Sequence, residues 1–207
     1  MGAPKILLAA GGTGGHIWPA ISFGAWINEH KPAASVSYVC GSRPLEREIY
    51  SAAGITPNVL PIDGSPFSGR SIGQRLSRAG AIFACCRESR MLLKALSPTC
   101  CVLFGGYLSF PLICACRRLH IPFVMHEQNA YAGKATRFAG MLGSDIYSGW
   151  KECLPLEPGK FTHVRVPVRI FENHDPKEAW SALGIADDYP TGPKVVAFTG
   201  SLGSQHI

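Results

Sequence analysis

The sequence predicts an α/β protein built on a Rossmann-like, doubly wound parallel sheet. Short apolar runs alternate with helix-length stretches along most of the chain, the pattern of repeated strand–helix units. Several runs, such as Lys5–Ala10 and Cys100–Phe104, are continuously apolar instead of alternating, which marks strands covered on both faces. Three strand ends pass directly into glycine-rich or polar turns, and open α/β sheets build their clefts at the carboxyl ends of strands.

In chain order, strands are expected at Lys5–Ala10, Val36–Cys40, Asn58–Ile62, Cys100–Phe104, Pro122–His126, Asp145–Ser148, Val164–Val168 and Lys194–Phe198. Helices are expected between them at Ile17–His30, Leu45–Ala53, Gly73–Leu96, Phe110–His120, Lys134–Met141 and Pro176–Leu183. The opening apolar run is too short for a secretory h-region and meets glycines at once. No apolar stretch approaches the ~20 residues of a membrane-spanning helix. The stretch from Ile170 to Pro193 is polar and closes on Pro190-Thr191-Gly192-Pro193, as an interdomain linker with a short helix would. Residues 1–169 are therefore expected to form one domain, 170–193 the linker, and 194–207 the first strand and glycine turn of an incomplete second domain. One strand cannot bury itself, so the chain is expected to be truncated, its missing half supplied by a continuation or by a partner chain.

Hydrophobic residues make up 46% of the 207 and charged residues 16%, a composition that excludes a disordered chain. The net charge of +6 points to anionic partners: phosphate-bearing substrates, anionic lipid or nucleic acid. The eight cysteines include two adjacent pairs and no C-x-x-C. Most lie in apolar runs, where thiols act as small hydrophobes, so a reducing compartment and no metal site are expected.

Three motifs converge on the predicted cleft. Gly11-Gly12-Thr13-Gly14-Gly15-His16 links the first strand to the first helix. Its glycines let the backbone approach a ligand closely, and the helix amides behind them favour an oxyanion. It lacks the Gly-Lys-Ser/Thr ending of a P-loop, and a dinucleotide spacing from Gly12 and Gly14 lands on Ile17. His16 sits where the helix dipole keeps an imidazole neutral, a candidate general base or phosphate contact. Gly105-Gly106-Tyr107 forms the second motif and His126-Glu127-Gln128-Asn129 the third. Four polar side chains directly after a buried strand suit a cleft wall. Arg169, after Pro167-Val168, and Ser201, in a second glycine-rich turn, complete the candidate ligand contacts.

Taken together, Gly11–His16 with Pro19, Gly105-Gly106-Tyr107 with Ser109 and Pro111, His126–Asn129 with Gly133, Pro167-Val168-Arg169, and Gly200-Ser201 with Gly203 resemble the MurG family of glycosyltransferases in motif order along the whole chain. The resemblance implies the N-terminal, acceptor-binding half of a GT-B fold. It implies inverting transfer of GlcNAc from UDP-GlcNAc to the MurNAc C4 hydroxyl of the undecaprenyl-linked MurNAc-pentapeptide. By that resemblance Thr13, Gly14, Gly15, Asn129, Arg169 and Ser201 match donor-contacting positions, and His16 and Glu127 match positions around the acceptor and the chemistry. Gly105, Gly106, Tyr107 and His126 are carried over as further substrate contacts. No tightly bound cofactor is implied, although a divalent cation can accompany the UDP diphosphate, and no nucleic-acid partner is implied. A separate expectation is a non-catalytic acceptor-binding or membrane-recruiting subunit of a split enzyme. The chain departs from the family pattern at Arg165-Val166, Phe110, Thr199 and Leu202.

Between Phe67 and Leu96, six basic residues (Arg70, Arg75, Arg78, Arg87, Arg90 and Lys94) face one acid, Glu88. Arg87, Arg90 and Lys94 share a helical face, and Leu76, Ala79 and Phe83 are expected on another. Such a helix suits peripheral docking on the anionic cytoplasmic face of the plasma membrane, each cation contributing ~1 kcal/mol.

Overall fold

The computed structural model describes residues 2–64, 72–169, 175–182 and 184. The chain divides into two compact units, Met1–Val168 and Arg169–Ile207. The expected strand at Lys194–Phe198 and the turn at Ser201 lie outside the described residues.

Among the described residues of the first unit, seven strands form one parallel sheet: β1 (Lys5–Ala9), β2 (Ser35–Cys40), β3 (Asn58–Val59), β4 (Cys100–Leu103), β5 (Phe123–Glu127), β6 (Ile146–Ser148) and β7 (Thr162–His163). Their order is β3-β2-β1-β4-β5-β6-β7, so the chain steps outward from β1, then returns to the other side of β1 at β4. The helices are α1 (Gly14–His30), α2 (Pro44–Ala52), α3 (Ile72–Leu96), α4 (Ser109–Leu119) and α5 (Lys134–Met141). Right-handed crossovers send helices to opposite faces when the direction of winding reverses. Accordingly α1 packs with α2, while α4 packs with both α3 and α5. The second unit contributes α6 (Pro176–Ala182).

The continuous apolar runs have the two-sided burial that their sequence requires. Leu7, Cys101, Leu103 and Met125 belong to one buried cluster, with Leu112 and Ile113 of α4. Their neighbours Leu8 and Phe104 belong to a second, with Ile17, Ala20 and Ile21 of α1. The two-residue period of a strand thus divides each run between two cores. β7 lies at Thr162–His163, just before the expected Val164–Val168, which has no regular structure. Helix α1 begins at Gly14 instead of Ile17, so its first turn is made from the glycine motif itself.

Candidate active site at the carboxyl edge of the sheet

The reversal between β1 and β4 creates the switch point where doubly wound sheets bind ligands. The turns after β1, β4 and β5 meet there around a cavity of about 510 Å³. His16, Gly105, Gly106 and Tyr107 form one wall. Glu127, Asn129, Gly133, Lys134 and Thr136 form another, and Phe110 and Phe138, their tilted rings 5.0 Å apart, form an apolar side. Lys134 supplies a cation at the N-terminus of α5, where the helix dipole also favours an anion.

The close turns require glycine at two places. Gly106 has φ +78°, and a Cβ there would lie 2.6 Å from the Gly11 carbonyl oxygen. Gly105 has φ +87°, and a Cβ there would meet the His16 ring at 3.1 Å. The β4 turn can therefore lie against the β1 turn and leave the imidazole uncovered.

His16 is the third residue of α1, half-buried, with its Nδ1 3.4 Å from the Thr13 hydroxyl. Burial holds its pKa below the ordinary imidazole value, against the opposing charges of Glu127 and Glu46. It is thus neutral at pH 7. Thr13, Gly14 and Gly15 form the same helix start beside the cavity without lining it.

Glu127 is buried and its carboxylate is saturated. Oε1 accepts from the backbone N–H of Asn129 at 3.1 Å and from the Asn129 side-chain amide at 2.9 Å. Oε2 accepts from the Gly133 N–H at 2.9 Å and the Thr136 hydroxyl at 2.6 Å. A carboxylate offers about four lone-pair sites, and here protein donors occupy that number. Glu127 shapes the turn that presents Asn129; its oxygens are turned toward the protein.

His126, expected on the cleft wall, does not line the cavity. Strand alternation turns it to the opposite face from Glu127, where it is 6% exposed and packs on Phe104 at 5.4 Å. Burial lowers its pKa, opposed by the Arg165 backbone and the Glu127 charge. Arg169 opens the second unit.

Glu46 of α2 was not singled out in the sequence, yet it joins three strand ends. Fully buried, it accepts from the N–H of Gly12 at 2.7 Å, the N–H of Gly41 at 2.7 Å and the Tyr107 hydroxyl at 2.5 Å. Tyr107 also carries the Arg43 guanidinium over its ring at 4.9 Å. Burial and the Glu46 carboxylate push the Tyr107 phenol well above its usual pKa, so it remains a hydroxyl donor. Lys134, Thr136 and Glu46 carried no sequence signal beyond polar residues near helix starts.

On α3, Arg87, Arg90 and Lys94 are exposed. Arg87 and Arg90 share a separate hollow of about 310 Å³ with Phe83, itself 76% exposed, and with Arg118 of α4. Phe83 therefore joins the basic face instead of lying on a different one, because positions 83, 87, 90 and 94 follow the helical repeat. The side chains of Arg70, Arg75, Arg78, Leu76 and Ala79 lie outside the described residues. No helix among the described residues is long and apolar enough to cross a membrane.

A doubly wound sheet with glycine turns and a histidine at its switch point is the Rossmann-like half of a GT-B fold. The chain belongs to glycosyltransferase family 28, whose N-terminal domain profile matches residues 6–147. It is 30% identical over 205 residues to the UDP-N-acetylglucosamine–N-acetylmuramyl-(pentapeptide) pyrophosphoryl-undecaprenol N-acetylglucosamine transferase of Leuconostoc mesenteroides, covering 98% of this chain and 55% of that protein. The transferase of the same name from Deinococcus radiodurans is 32% identical over 207 residues, covering 98% of this chain and 49% of its own length. The chain thus spans about half the length of these relatives. Among solved structures, MurG of Acinetobacter baumannii shares the fold with a TM-score of 0.64 and 22% identity, over 81% of this chain and 47% of that one. The MnaA–UDP structure of S. aureus shares it with a TM-score of 0.56 and 14% identity, over 72% of this chain and 39% of that one.

Proposed function

We propose that the first unit is the acceptor-binding half of an inverting transferase. The enzyme moves GlcNAc from UDP-GlcNAc to the C4 hydroxyl of MurNAc on an undecaprenyl diphosphate carrying the pentapeptide. The observation that carries this reading is the neutral His16 on the wall of a cavity that also offers a cation, Lys134, and an apolar side, Phe110 with Phe138. A lipid-linked diphosphate sugar combines an anion, an apolar chain and a hydroxyl to be deprotonated, and the cavity has a group for each. His16 then takes the proton of the attacking hydroxyl. Asn129, Arg169 and Ser201 are assigned to the donor by family resemblance. This half is assigned no tightly bound cofactor, and any divalent cation would enter with the donor diphosphate.

Calorimetry separates the two ligands. A short-chain, soluble polyprenyl-diphosphoryl-MurNAc-pentapeptide should bind the 207-residue chain saturably, and UDP-GlcNAc should bind far more weakly. Tight UDP-GlcNAc binding without acceptor binding would reverse the assignment of this half.

The exposed Arg87, Arg90 and Lys94, with Phe83 and Arg118 beside them, support peripheral docking on the anionic cytoplasmic face of the plasma membrane. Replacing Arg87, Arg90 and Lys94 with Gln removes about 3 kcal/mol of attraction at ~1 kcal/mol per cation. Co-sedimentation with anionic vesicles at low salt should then fall about a hundredfold in affinity, with thermal stability unchanged. Equal binding by the variant would remove this face from the membrane.

A further inference from the structure

One side chain behind the cavity leaves a buried polar atom without a partner: Oε1 of Gln128. Buried acceptors are nearly always satisfied in folded proteins, so the Gln128 oxygen calls for an explanation. Its orientation is fixed by its neighbour. The amide nitrogen donates at 2.8 Å to the His126 carbonyl and lies 2.8 Å from Nδ1 of the same residue. A carbonyl only accepts, so the nitrogen must face His126 and the oxygen must point away. It points toward Gly105, lying 4.0 Å from where a Cβ on that residue would be. Nε2 of His16 lies 3.2 Å from the same point. Both atoms thus lie beside the place that a side chain on residue 105 would take.

We propose that Gln128 is a positioning residue for His16, its carbonyl dipole stabilising the Nε2 nitrogen of that ring once it carries a proton. This rests on the reading of His16 as the base. The proton passes from the acceptor hydroxyl to Nε2 while the O–H electron pair forms the new bond to the sugar C1, and the C1–O bond to the donor diphosphate breaks with its electron pair leaving on UDP. The imidazolium left behind lies within a largely buried edge. Glu127 and Glu46 supply negative charge there, but their oxygens are committed to other donors. Gln128 places an uncommitted acceptor on the Nε2 side. His126 holds the amide from behind, which gives that buried ring a role without contact with the ligand.

The test reads the ring itself and needs no transferase activity, so its failure is distinguishable from failure of the acceptor-binding reading. Histidine side-chain NMR titrations are recorded on the 207-residue chain, its Gln128→Glu variant and its Gln128→Leu variant. Glu keeps the size and shape of Gln and puts a charge where the carbonyl oxygen points, so the His16 pKa should rise by about one unit or more. Gln128→Leu removes the carbonyl dipole and should lower it. His126 should shift in Gln128→Glu in either case and shows that the new carboxylate is in place. A His126 shift with His16 unchanged would overturn the proposal and leave Gln128 as packing for His126. If Gln128→Glu does not fold, because its second oxygen meets the His126 carbonyl that now accepts from the amide, Gln128→Leu decides: a His16 pKa that is not lowered in that variant overturns the proposal.

Discussion

In a full-length enzyme carrying this half, His16→Ala is expected to lower kcat by ~10²–10⁴-fold, the usual contribution of a positioned base, with little loss of stability. Three features converge on this residue. It lines the cavity, it starts a helix whose dipole disfavours imidazolium, and burial lowers its pKa despite two carboxylates nearby. A base must be neutral to act. The acid limb of kcat/KM should therefore lie below pH 6.5, the ordinary imidazole value, and should vanish in the variant. The same shift gives a stability term of known sign. The unfolded ring binds a proton more readily than the folded one, so this term stabilises the fold above pH 6.5 and is lost as pH falls toward the folded pKa. Steady-state kinetics across pH decide the matter. A selective rise in KM for UDP-GlcNAc at unchanged kcat would make His16 a phosphate contact. A variant with normal kcat and KM would remove it from the chemistry altogether.

Much of this site was legible before any coordinates, and the reason is local. Glycines that must tolerate φ of +78° and +87° at Gly106 and Gly105 announce themselves as glycine pairs after an apolar run. The continuous hydrophobicity of β1 and β4 could be read because parallel strands bury both faces. His126 was misplaced because the run His126–Asn129 reads as one polar block. The strand continues through Glu127, and a two-residue period then sends His126 and Glu127 to opposite faces. The role of Glu127 was also hidden. Its four donors come from Asn129, Gly133 and Thr136, and only the folded turn reveals that its lone pairs are spent. The basic face of α3 followed from helical spacing, whereas Arg118 joined it from α4 through tertiary packing, which no spacing rule records.

Glu46 is the clearest residue that sequence could not have revealed, and its removal is expected to have the largest effect on stability. It sits in an ordinary amphipathic helix, and nothing near it in the chain marks it as buried. Its partners lie 34, 5 and 61 positions away, at Gly12, Gly41 and Tyr107. The carboxylate ties the ends of β1, β2 and β4 into one edge, and the glycine turn that starts α1 is held through it. Glu46→Ala strands three donors, each costing about 1–3 kcal/mol when left unpaired, with water entering the vacated space relieving part of this. A net loss of about 3 kcal/mol is expected, roughly 6–12 °C in Tm for a chain of this size. Glu46→Gln is the sharper experiment. Gly12 donates to one carboxylate oxygen and Gly41 to the other, so an amide of the same shape must turn its NH₂ against one of these N–H groups. It should lose about 2 kcal/mol even though no volume is removed. Differential scanning calorimetry on both variants, with the His16 NMR titration as a local probe, tests the point. If Glu46→Gln unfolds at the wild-type temperature with an unaltered His16 signal, the carboxylate does not organise the edge, and the glycine turn must be held by its backbone alone.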